Sequence, residues 1–174
     1  MKKLFIASAI AMTMAAGSAM AANQQAEVQF LGVVTNVTCD VNANVNGNTT
    51  NTVQLGTVSV GEPGQPVEFA LKAADPTAPA CQSLSDQQTA TVVWQGPFIA
   101  EGLSNASGTA GDAKMTLETV NAKTTAVQQL NSAKTSVDFE ANKITDGMKF
   151  KAALKGGNDV GTFVSAAAYA VSYK

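Results

Sequence analysis

The side chains able to do chemistry are few. The chain has two cysteines, Cys39 and Cys81, and no histidine. Without histidine the Ser-His, Cys-His and most metal-hydrolase arrangements are lost, leaving carboxylates, Lys, Tyr or Ser for any catalysis. Asp138 and Glu140 flank Phe139 and share one face of a strand, as paired carboxylates do, but "VDFE" alternates acidic with apolar residues and reads as a solvated face. Gly61, Gly64, Gly156 and Gly157 fit no phosphate-loop spacing and read as turn residues. Trp94 in "TVVWQG" has the bulk of a sugar-stacking platform, yet within a central strand it reads as core. Two cysteines alone do not make a zinc site. The sequence therefore offers no catalytic, cofactor-binding or metal site, and a carboxylate-based secreted hydrolase has no constellation behind it.

One covalent chemistry is left, and it depends on compartment. Lys2 and Lys3 precede an apolar run from Leu4 to about Met14, followed by small residues ending in Ala19-Met20-Ala21, the form of a signal-peptidase site. The run is shorter than the ~20 residues a bilayer requires. Residues 1–21 read as a signal peptide, and about 153 residues remain, enough for one domain with a sizeable core. In an exported protein the even pair Cys39 and Cys81 reads as one disulfide closing a loop of about 40 residues. All 11 basic residues are lysines, and without Lys2 and Lys3 nine stand against 13 acidic residues, a net charge of about −4. That balance argues against nucleic acid or an acidic membrane as partner, since both call for basic patches.

The elements that would carry these residues are short. Alternating or apolar runs recur as "AEVQFLGVV", "TVQLGTVSV", "PVEFALK", "TATVVWQG", "KMTLETV", "TSVDFE", "GMKFKAAL" and "TFVSAAAYAVSY". Turn-forming clusters such as "NANVNGNTTN", "GEPGQP", "DPTAP" and "SNASGTAGD" separate them. Eight or so strands at this spacing predict an all-β, antiparallel sandwich. The nearest approach to a helix is "TVNAKTTAVQQL", weakened by its β-branched residues. Three Asn-x-Ser/Thr sequons, at Asn36, Asn48 and Asn105, are expected by chance in a chain this rich in Asn, Ser and Thr.

Both ends carry one-sided strands. In residues 161–174 the large residues Phe163, Tyr169, Val171 and Tyr173 share one parity with Ser165 and Ala167, while the other parity is small. In residues 22–31 Ala26, Val28 and Phe30 share a parity opposite Gln25, Glu27 and Gln29. Both could be ordinary sandwich strands.

The signal peptide, the Cys39 and Cys81 pair with "QLGTVSV" and "VEFALK" between them, Gly161 at fourteenth from the end and the penultimate Tyr173 together resemble major fimbrial subunits of the Gram-negative chaperone/usher pathway, type-1-like, over essentially the whole chain. The resemblance implies an incomplete immunoglobulin-like β-sandwich lacking its final strand, with a groove beside the C-terminal strand that a donor strand fills. It implies three regions: a signal at 1–21, a donor-strand extension at 22–31 presenting Ala26, Val28 and Phe30, and a pilin domain at 32–174. Gly161, Phe163, Ala167, Tyr169, Val171, Tyr173 and Lys174 become groove and chaperone-recognition residues, with the Lys174 carboxylate held by the chaperone. The implied partners are a periplasmic chaperone, an outer-membrane usher and identical or related subunits, without nucleic acid or cofactor. The implied function is a non-enzymatic subunit polymerising by donor-strand exchange into an adhesive surface fimbria; the alternative is a shaft or minor subunit that itself binds a host glycan.

Overall fold

The computed structural model of the chain describes Gly32, Val34 and residues 38–174. The stretches expected to be a signal peptide, 1–21, and a donor-strand extension, 22–31 with Ala26, Val28 and Phe30, lie outside the described residues. The described strands are β1 (Val41–Val45), β2 (Asn48–Thr49), β3 (Val67–Ala73), β4 (Thr89–Gln95), β5 (Phe98–Ile99), β6 (Gly102–Ser104), β7 (Lys114–Thr119), β8 (Gln129–Leu130), β9 (Ser136–Glu140), β10 (Met148–Lys155) and β11 (Ala168–Tyr173). Two single-turn helices, α1 (Pro79–Gln82) and α2 (Lys143–Asp146), complete the list.

These strands form two sheets, all pairs antiparallel. The larger runs β2-β1-β3-β10-β7-β6-β5 with β8 beside β7, and the smaller runs β11-β4-β9. Period-two alternation decides which side chains meet between them. In β10, Met148, Phe150, Ala152 and Leu154 point inward and are buried; in β4, Ala90, Val92 and Trp94 do the same from the opposite sheet. The central contact is aromatic: Phe69 stacks on Phe150 with centroids 5.4 Å apart, and Trp94 meets Phe150 edge-on, also at 5.4 Å. Phe139 from β9 adds a further edge contact to Phe150. The all-β sandwich is thus present, and it is not closed along one side.

Cys39 and Cys81 are joined by a disulfide across 42 residues. Both are buried, and Cys81 sits in α1. Asp138 is exposed on β9 and accepts a hydrogen bond from the Thr91 hydroxyl at 2.6 Å, as expected of an outer face.

Three expectations are corrected. "NANVNGNTTN" is not only a turn cluster: β1 and β2 pair through Asn46 and Gly47, whose φ values of 51° and 86° are those of a tight hairpin turn. "TVNAKTTAVQQL" is not helical; it runs as bends into β8, where Leu130 pairs with Leu117 and is buried. Most consequentially, "TVQLGTVSV" joins no sheet, and only the second half of "TFVSAAAYAVSY" does. The missing pairings all border one cleft.

Candidate functional site

The cleft, of about 1450 Å³, lies between residues 50–60 and residues 156–169. Phe69, Trp94, Leu103, Met115, Leu117 and Ala152 form part of its floor. Closing a sandwich over such residues ordinarily takes another strand. Here the two long walls face each other without one.

The first wall is residues 52–60. Val53, Leu55 and Val58 are partly buried and their neighbours exposed, the inward parity shifting by one residue after Gly56, whose φ is 76°. Yet residues 53–58 make no backbone hydrogen bond among the described residues. Its alternation makes a strand face, but no neighbour supplies the ladder.

The second wall continues β11 backwards. Phe163, Ser165, Ala167 and Tyr169 are partly buried while Val164, Ala166 and Ala168 are exposed, so the odd parity faces inward as the sequence predicts. From Ala168 onward the segment pairs with β4, setting Tyr169 opposite Trp94, Val171 opposite Val92 and Tyr173 opposite Ala90. Before Ala168 it leaves β4 and is held from one side only. Two buried polar atoms along the cleft have no partner among the described residues, Trp94 Nε1 and Ser165 Oγ, and such groups in a native interior call for a partner.

The residues named from sequence divide into two groups. Gly161, Phe163, Ala167 and Tyr169 line the cleft. Val171 faces a smaller hollow beside Cys39, Asp40 and Val41. Tyr173 is buried, donating its hydroxyl hydrogen bond to the Cys39 carbonyl at 3.0 Å, while Tyr169 donates to the Val41 carbonyl at 3.1 Å. These bonds fasten β11 across the sandwich to the segment entering β1. Burial raises the Tyr169 phenol above its ordinary value. It raises that of Tyr173 further, with the negative charge of Asp40 adding to the effect. Lys174 is exposed and exchanges both backbone hydrogen bonds with Thr89, at 2.7 and 3.0 Å.

Sequence reading missed the floor residues contributed by β6 and β7 and the loop that steadies the second wall. Leu103 and Met115 pair across β6 and β7, a long-range match that no local pattern encodes. The loop lies in "SNASGTAGD", legible as a turn cluster, whereas its attachment to Thr162 and Val164 is not. Among the described residues no three acidic or cysteine side chains are placed to hold a metal. What the cleft can do is bind an extended chain, through two unpaired edges and an apolar floor.

No protein-family model matches the chain. Among known proteins, it is 43% identical over 175 residues to the F107 fimbrial protein of Escherichia coli, spanning 100% of both. To the K99 fimbrial protein of Escherichia coli it is 27% identical over 185 residues, 99% of each. Among solved structures, it is similar to the P pilus rod subunit PapA at 16% identity and a TM-score of 0.48, covering 85% of this chain and 100% of that one. A subunit of a chaperone-usher pilus is similar at 15% identity and a TM-score of 0.43, covering 87% and 97%.

Proposed function

Since the chain belongs to the family of fimbrial proteins, and is a structural subunit of a surface fimbria, we propose that its cleft accepts residues 22–31 of a second copy as the strand the sandwich lacks. The open cleft between two unpaired extended walls is the observation that supports this reading. A strand laid between residues 52–60 and 161–167 would satisfy both edges and cover the floor. Residues 22–31 have the required pattern, with Ala26, Val28 and Phe30 on one face. From Ala22 to Phe30, nine residues at ~3.3 Å each span about 30 Å.

Giving a strand to one neighbour while accepting one from the other is a head-to-tail contact, and such contacts build open filaments when the rotation does not close. No covalent step or nucleotide is needed: main-chain hydrogen bonds supply affinity and side chains entering alternate positions supply specificity. Before assembly an apolar cleft with two open edges is a template for aggregation. A periplasmic chaperone lending a strand of its own meets that hazard, with Lys174, at the far end of β11, as the residue it would hold and an outer-membrane usher as the place of exchange. The reading of the subunit as itself a glycan-binding adhesin is not favoured.

Deleting residues 22–31 from the mature chain tests the proposal by size-exclusion chromatography and electron microscopy. The truncated subunit is expected to remain a monomer that captures a synthetic peptide of residues 22–31 and forms no fibre. Fibres of normal length from the truncated subunit would overturn it.

A further inference from the structure

The second wall has an outer side as well as an inner one. Residues 105–110 run along it, and the contact is made almost entirely of hydrogen bonds. An asparagine side chain offers two donors and an acceptor oxygen with two lone pairs, and Asn105 uses them all. Its Nδ2 donates to the carbonyls of Ala110 at 2.6 Å and Thr162 at 3.2 Å. Its Oδ1 accepts from the amides of Gly108 and Val164, both at 2.9 Å. Thr109 mirrors Thr162: each threonine amide donates to the other's hydroxyl, at 3.1 and 3.0 Å. The amides of Ala106 and Ser107 donate to the Val164 carbonyl, and that of Ala110 to the Thr162 carbonyl.

The approach is close enough to require glycine on both sides. A Cβ at Gly108 would lie 2.0 Å from the Thr162 carbonyl oxygen, and one at Gly161 would lie 2.5 Å from the Ala110 nitrogen. Every main-chain group of Thr162 and Val164 is thereby engaged on the loop side. Backbone groups in an extended chain alternate in direction, so those of Gly161, Phe163 and Ser165 point the other way, toward the cleft, and none of them is hydrogen-bonded among the described residues.

We infer that residues 105–110 are a fixed clamp that holds residues 161–165 extended and so presents Gly161, Phe163 and Ser165 as a preformed edge for the incoming strand, with Asn105 and Thr109 as positioning residues. The inference rests on the strand-accepting reading of the cleft. Binding to an edge already ordered avoids the conformational entropy of ordering it on arrival. The clamp thus acts on the rate of capture, through Asn105 and Thr109, which do not themselves line the cleft. It also gives the wall rigidity without a neighbouring strand on its outer side.

The test uses the mature chain, residues 22–174, with its disulfide intact, and a fluorescent synthetic peptide of residues 22–31 in excess over the segment already present. Association rate is measured by stopped-flow, alongside the thermal midpoint followed by Trp94 fluorescence. With one net hydrogen bond worth close to a factor of ten, Asn105→Ala is expected to slow capture about tenfold. Thr109→Val, which removes only an exposed hydroxyl, should slow it about threefold and Thr109→Ser should restore it, with the midpoints of both Thr109 variants close to wild type. Capture at the wild-type rate by Asn105→Ala and Thr109→Val, or slowing that merely follows the midpoint, overturns the clamp. If Asn105→Ala does not fold, the two Thr109 variants decide. A wild-type chain that captures no peptide overturns the strand-accepting reading instead. In that case amide exchange at Thr162 and Val164 judges the clamp: slow in wild type and fast in Thr109→Val supports it, and fast in wild type overturns it.

Discussion

The C-terminal segment is one alternating run in two different situations. From Ala168 to Tyr173 it is laddered onto β4, faces Ala90, Val92 and Trp94, and is fastened by the hydroxyls of Tyr169 and Tyr173 to the carbonyls of Val41 and Cys39. From residue 161 to 167 the same parity faces inward, but the edge toward the cleft is bare and the opposite edge is held by a loop. Alternation therefore specifies which face turns inward in both halves, and it does not specify whether a strand lies alongside. The laddered half contributes to the stability of the isolated subunit. On the proposed reading, the bare half is the edge left for the incoming strand.

The comparison breaks most severely if the docking ground of the laddered half is removed. Replacing Cys39 and Cys81 by alanine opens a crosslink spanning 42 residues, which the chain-entropy model values at about 4 kcal/mol. Urea unfolding of the variant should show that loss, and because the Tyr173 hydroxyl is bonded to the Cys39 carbonyl, amide protection in β11 should fall with it. A loss below about 1 kcal/mol would mean the disulfide is incidental to the fold.

A pair of truncations sharpens the contrast. Tyr173→Ala removes a buried ring and should cost the isolated subunit about 3 kcal/mol. Phe163→Ala, on the bare half and only partly buried, should cost it less than about 1 kcal/mol while weakening capture of the residue 22–31 peptide. Equal costs in urea unfolding would erase the distinction between the halves.

Removing the hydroxyl alone is milder. Tyr173→Phe leaves the buried Cys39 carbonyl without that donor and should cost about 1 kcal/mol. The same variant carries a pH signature. Burial, reinforced by Asp40, raises the Tyr173 phenol above its ordinary 10.0, so the folded state holds its proton where the unfolded state has lost it. The associated stability is present in full below pH 10 and declines as pH rises above it. Wild-type stability should therefore fall on the alkaline side, and Tyr173→Phe should flatten that fall; an unchanged slope would exclude Tyr173 as the titrating group.

The smallest effect belongs to the outward parity of the laddered half. Ser172 pairs with Thr91 across β4 and makes no side-chain hydrogen bond among the described residues. Ser172→Ala should change neither stability nor peptide capture beyond about 0.5 kcal/mol.

Much of this was legible residue by residue. Trp94 reads as core from its place in an apolar run, and it is buried in the middle strand of the smaller sheet. Phe163, Tyr169 and Tyr173 read as inward from parity alone. The β1–β2 hairpin was equally available, since Asn46-Gly47 between valine-bearing runs is a strong turn signal, but the polar composition of the stretch concealed it. "TVQLGTVSV" was misread for the opposite reason: it alternates on either side of Gly56, and among the described residues it has no partner that would make it a strand.

What the sequence determined by itself is local: which residues alternate, where turns break the chain, which two sulfurs can pair, and the absence of any histidine. Those follow from the steric preferences and side-chain chemistry of adjacent residues. What only the tertiary structure decided is adjacency across long intervals. That residues 52–60 and 161–167 face each other unpaired, that Asn105 reaches Thr162 and Val164, and that Tyr173 reaches Cys39 all depend on contacts separated by tens of residues. Such contacts are chosen by the packing of whole sheets around a shared core, so no short window of sequence contains them.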